Sequence, residues 1–89
     1  QSIFISQLIV EVDKLVDDSK LLIDGIIAAG AGGGPADLMG ELQDNISELE
    51  DQRKIIETSA EFSTPVKEYS KVLITDALKE IEDERKRVP

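Results

Sequence analysis

Apolar residues recur at steps of three and four through the first third of the chain. Ile5, Ile9, Val12, Val16, Ile23 and Ile26 form the seam, with Leu8, Leu15 and Leu22 beside it at sevenfold spacing. A helix turns once in about 3.6 residues, so this period gathers them on one face that needs a partner along its length. Ser19 is the single polar interruption. Asp17-Asp18-Ser19 would suit the cap of a separate helix, which would make four in all. The seam keeps its phase across that site, so the pattern predicts one helix over 2–29. Gly30-Ala31-Gly32-Gly33-Gly34-Pro35 then ends it, since glycine accepts left-handed backbone and proline suits the first turn of a following helix. A connection this short turns the next helix antiparallel.

The second helix is predicted over 35–62. Its seam reads Met39, Leu42, Ile46, Leu49, Arg53, Ile56 and Ala60. Arg53 would lay its alkyl stem on the core while its guanidinium reaches an acid at the edge. Ser63-Thr64-Pro65 marks the next boundary, with Thr64 as the expected N-cap and Pro65 at the first helical position. The third helix, over 64–87, carries Val66, Tyr69, Leu73, Ala77 and Ile81, with Ile74 and Leu78 alongside. It closes on Arg85-Lys86-Arg87, cations that suit a helix C-terminus. No strand-like alternation persists and no internal repeat is evident. The fold class is all-α: one domain over 1–89, an antiparallel bundle of three long helices.

Composition narrows the chemistry. With 89 residues and 3% aromatics the core must be small and aliphatic. The chain has neither Cys nor His, so disulfides, thiolate and imidazole metal sites and the usual neutral-pH proton shuttle are all missing. A net charge of −9 disfavours nucleic acid and anionic membranes as partners and favours basic protein surfaces. Charged residues from Glu11 to Asp24 interrupt the most apolar region, so no transmembrane span is expected. The chain opens at Gln1 rather than Met, as removal of a targeting segment or trimming of a longer chain would explain.

The glycine run is the nearest thing to a phosphate loop. A P-loop would continue with Gly-Lys-Ser or Gly-Lys-Thr, whereas Pro35-Ala36-Asp37 follows, and Asp37 would repel phosphate. The serines lack a histidine base, and a bundle this small offers little cleft for paired-carboxylate catalysis. The chain is therefore read as non-enzymatic, with no catalytic residue, cofactor or metal.

Two surfaces stand out. Asp37, Glu41, Asp44, Glu48 and Asp51 follow one another at steps of four, three, four and three, which aligns five acids in one stripe on the second helix. Like charges so spaced cost a few tenths of a kcal/mol per pair, a cost that a basic partner surface or a cation would relieve. The bland alternative is a solvated face that keeps the protein soluble. In the third helix acids and bases balance, so the excess charge lies on the first two. On the first helix, Ile3, Val10, Leu21 and Ala28 fall opposite the main seam as an apolar ridge, either a contact for another chain, a contact for a helix outside this segment, or scattered surface residues.

The stretch Ser63-Thr64-Pro65-Val66-Lys67-Glu68-Tyr69, with Asp76-Ala77-Leu78-Lys79-Glu80-Ile81 after it, resembles the last helix of PsbQ-like extrinsic subunits of photosystem II. Leu38–Leu49 looks like that family's penultimate helix. The likeness covers about half the chain. It implies a thylakoid-lumen protein, made with a cleaved transit peptide, that docks on core subunits of photosystem II. There it would help retain calcium and chloride without performing chemistry. That family forms four-helix bundles and its plant members are basic, and this chain departs from both. Glu61-Phe62-Ser63-Thr64-Pro65-Val66 is also similar to a Phe-x-x-Pro-aliphatic sequence in BAR domains, which implies a trafficking or self-associating module. The expectation is thus a small acidic subunit docking on a larger assembly with a basic surface, lumenal if the first resemblance holds and cytoplasmic otherwise.

Overall fold

The computed structural model describes residues 2–30 and 36–88. Three helices account for nearly all of them: α1 Ser2–Ala29, α2 Ala36–Thr58 and α3 Thr64–Arg85. At 1.5 Å per residue, helices of 28, 23 and 22 residues are about 42, 34 and 33 Å long. Laid side by side they make a rod of 48 × 18 × 17 Å. Cross-helix contacts fix the directions. Glu11 pairs with Gln52 and Ser19 with Asn45, so α1 and α2 run antiparallel. Lys20 pairs with Glu80 and Asp24 with Arg87, so α1 and α3 run parallel. The topology is up-down-up, an all-α bundle with no strand among the described residues.

α1 is continuous through Asp17-Asp18-Ser19, and Ser19 is wholly buried. A small side chain there keeps the seam in phase, and its hydroxyl accepts a hydrogen bond from Asn45 Nδ2 at 3.2 Å. The buried face is Leu8, Val12, Leu15, Val16, Ser19, Ile23 and Ile26. It is turned from the expected seam toward the Leu8–Leu15 flank because α1 serves two neighbours. Ile5 and Ile9 are only half-buried. α1 ends at Gly30, whose φ of +75° lies in the left-handed region and whose N–H bonds to the Ile27 carbonyl at 3.1 Å. The rest of the glycine run and Pro35 lie outside the described residues.

α2 buries Leu42, Leu49 and Ile56, one residue per seven. Leu38 rather than Met39 begins the inner face, because Gly25 on α1 leaves room for it: a Cβ there would lie 3.3 Å from Leu38 Cδ1. Arg53, half-buried, donates to Thr75 Oγ1 on α3 at 3.1 Å rather than to an acid. The helix stops at Thr58, four residues before the expected end. Thr58 Oγ1 bonds back to the Lys54 carbonyl at 2.9 Å, and Ser59 Oγ accepts from the Glu61 N–H at 3.1 Å. These hydroxyls offer the backbone a turn in place of another helical residue. Ala60 consequently lies in the turn and is exposed.

Ser63, not Thr64, is the N-cap of α3. Its carbonyl takes the first helical bond, from Lys67 N–H at 3.0 Å, and its hydroxyl accepts from Val66 N–H at 3.4 Å. Pro65 then falls within the first turn, where its missing N–H costs nothing. α3 buries Ser70, Ile74, Ala77 and Ile81, and Tyr69 is half-exposed on its outer side. Phe62-Ser63-Thr64-Pro65 thus spans a turn and a helix start, not the interior of a long helix as in BAR domains. The α2–α3 turn also swings Phe62 onto Phe4, with ring centroids 4.4 Å apart, which closes one end of the rod.

Candidate functional site

α1 and α2 pack directly on one another, through Ser19–Asn45 and Glu11–Gln52 among others. Between them on the surface run three depressions that share residues: Asp18 belongs to the first and second, Glu11 to the second and third. Together they form one trough from Phe4 to Leu22, 18 residue steps along α1 or about 27 Å.

The two surfaces expected from the sequence meet here. Leu21 lines the trough beside Glu41 and Asp44, and Val10 lines it beside Glu48. In a linear reading these belong to unrelated stripes on different helices. The antiparallel pairing of α1 and α2 places them on facing walls. Not every expected residue joins. Asp37 and Asp51 are exposed on α2, and Ile3 and Ala28 are exposed on α1, but none of the four lines the trough. The ridge is also interrupted, because Lys14 and Asp17 separate Val10 from Leu21 on the same side of the helix.

The trough changes character along its length. Near Leu22 and Leu38 its walls carry Asp18, Glu41 and Asp44. At the other end it is lined by Phe4, Leu8, Ile55, Ile56 and Phe62, with Glu11 and Gln52 at the margin. Gln52 Nε2 donates to Glu11 Oε1 at 3.0 Å, a polar bar across the trough where the apolar end begins. That end measures ≈ 270 Å³, the smallest of the three depressions, the other two being ≈ 450 and ≈ 670 Å³. Phe4 and Phe62 are the chain's two phenylalanines, and a helix-by-helix reading does not connect them. Ile55 was also missed: it is spare beside Ile56 in the α2 seam and remains 64% exposed.

Charge is unevenly compensated. Ion pairs between described residues gather on the C-terminal part of α3: Lys20 with Glu80 at 2.8 Å, Arg85 with Glu82, Lys86 with Asp83, and Arg87 with both Glu84 and Asp24. The hydrogen bond to Glu80 holds the Lys20 ammonium above its ordinary range. This tie therefore contributes its full stability at neutral pH, and loses it as pH rises through that raised value. In the trough, Asp18, Glu41, Asp44 and Glu48 have no ion-pair partner among the described residues, although Lys14 lies on the same α1 wall.

Among the described residues no group of three or more acids is set to hold a metal ion, and no helix is long and apolar enough to cross a membrane. Against family models, curated proteins and solved structures the chain gives no match. Its class is therefore set by architecture alone: a three-helix, all-α bundle with an acid-walled trough on one side.

Proposed function

We propose that this protein is a non-catalytic docking subunit that binds a basic surface on a larger protein assembly. The observation that carries the reading is the trough between α1 and α2, where exposed aliphatic residues lie beside acids that have no ion-pair partner among the described residues. Burying apolar area drives association, and acids at the rim select a basic partner and speed the encounter. The narrower form of the reading, an extrinsic lumenal subunit of photosystem II, rests on the resemblance of 63–81 and 38–49 to PsbQ-like proteins. Retention of the oxygen-evolving centre's ions would then be its indirect effect.

Size fractionation of a native extract tests the reading. The chain should migrate with a large assembly at low ionic strength and be released at high ionic strength, where exposed charge pairs are screened. Migration as a free small protein under both conditions would overturn docking. Absence from purified photosystem particles, with co-migration elsewhere, would overturn the narrower form alone.

A further inference from the structure

The trough is graded, and the geometry points to a single occupant: a cationic amphipathic helix from a partner, laid as a fourth helix along α1 and α2 in one orientation. Its aliphatic or aromatic end lies over Phe4, Ile55 and Phe62, and its Lys- or Arg-bearing end lies against Asp18, Glu41 and Asp44. This deepens the docking reading and rests on it.

Three features select that occupant. The trough runs beside two helices and is about 27 Å long, the length of a helix of about 18 residues. Its lining includes aliphatic residues at intervals, Val10, Leu15, Leu21 and Leu22, against which the apolar anchors of a helix lying in a groove can pack. Its chemistry differs at the two ends, so reversing the partner would set basic residues on phenylalanines and apolar residues among carboxylates. Reversal is therefore disfavoured by desolvation of the misplaced charges as well as by lost contact. The Gln52–Glu11 bar marks the transition.

A second copy of the chain does not fit. It would bring a net charge of −9 to an acid-walled trough, and its basic cluster, Arg85-Lys86-Arg87, is already bonded to Asp24, Glu82, Asp83 and Glu84. An extended segment fits less well than a helix, because neither wall presents a free row of backbone donors and acceptors.

The probe is a synthetic amphipathic helix of about 18 residues with a continuous Leu stripe, its Lys residues confined to one half, and a nitroxide label at the Lys end. Binding to the full chain is read by fluorescence anisotropy, and orientation by paramagnetic broadening of backbone amide signals. Amides of Asp18, Glu41 and Asp44 should broaden while those of Phe4 and Phe62 stay sharp. Moving the label to the Leu end should exchange the two sets. Glu41→Lys with Asp44→Lys should weaken binding about tenfold at low salt and much less at high salt, whereas Ile55→Ser should weaken it at both. All three positions are exposed, and circular dichroism checks that the variants remain folded. Broadening spread over both ends, no binding, or dimerisation of the chain through the same residues would each overturn the graded site. Co-migration with a large assembly in extract is read separately, so loss of orientation can be told apart from failure of docking itself.

Discussion

Two serines sit fully buried in an aliphatic core, and their surroundings give them opposite signs. Ser19 Oγ accepts from Asn45, whereas Ser70 Oγ has no hydrogen-bond partner among the described residues. A buried hydroxyl left unpaired costs about 1–3 kcal/mol, and a satisfied one contributes about 0.5–1.5 kcal/mol. Ser70→Ala should therefore raise stability by about 1 kcal/mol, helped by the better helix propensity of alanine. Ser19→Ala should lower it by about the same amount, with both read from urea unfolding midpoints. Destabilisation by Ser70→Ala would mean that its hydroxyl bonds back to the preceding turn of its own helix. Ser19 was legible in the sequence as a gap in the seam. That it is a core position bonded to Asn45 was not, because the partner lies 26 residues away on another helix.

Helix identity was legible, and helix phase and ends less so. Periodicity gave α1 its span to the residue, since Gly30 leaves no ambiguity about its end. It overran α2 because Ala60 continues a spacing of threes and fours that the Thr58 and Ser59 hydroxyls interrupt. It chose Met39 over Leu38 because the decisive feature, the missing Cβ of Gly25, is on the facing helix. The glycines allow a test at this scale. Gly40 lies within α2 with nothing near the place of a Cβ, so Gly40→Ala should add about 0.5–1 kcal/mol by reducing unfolded-chain freedom. At Gly25 the same gain is offset by contact with Leu38, 3.3 Å from the added carbon. Leu38 is half-buried at the edge of the trough and can swing outward, so Gly25→Ala should be stabilising by a smaller margin. A loss of stability at Gly25 would show that Leu38 is pinned.

For the whole molecule, charge is placed rather than balanced. α2 holds seven acids and two bases, and the ion pairs cluster near the end of α3. Those pairs are largely exposed and each contributes little, about 0–1 kcal/mol at most. Mutual repulsion among the acids of α1 and α2 is the larger effect, and salt screens it. Raising NaCl from about 20 mM to about 0.5 M should therefore increase the melting temperature by circular dichroism, and a decrease would mean that the ion pairs dominate. The sequence showed the acids and the apolar ridge as separate stripes. Their union in a trough, and the Phe4–Phe62 closure, depend on the antiparallel and parallel placement of whole helices, which no single stripe encodes. That placement also has a mechanical consequence. Because α1 and α3 run parallel, Ser2 and Arg85 stand at opposite ends of the 48 Å rod, and tension applied between them acts along its axis. Such a load slides α1 past α3. Val12 and Val16 must then ride over Leu73 and Ala77 at the same moment that the Lys20–Glu80 link is dragged apart. Contacts loaded together share the force, whereas helices pulled from adjacent ends peel open one turn at a time. The bundle is arranged as a strut loaded in shear.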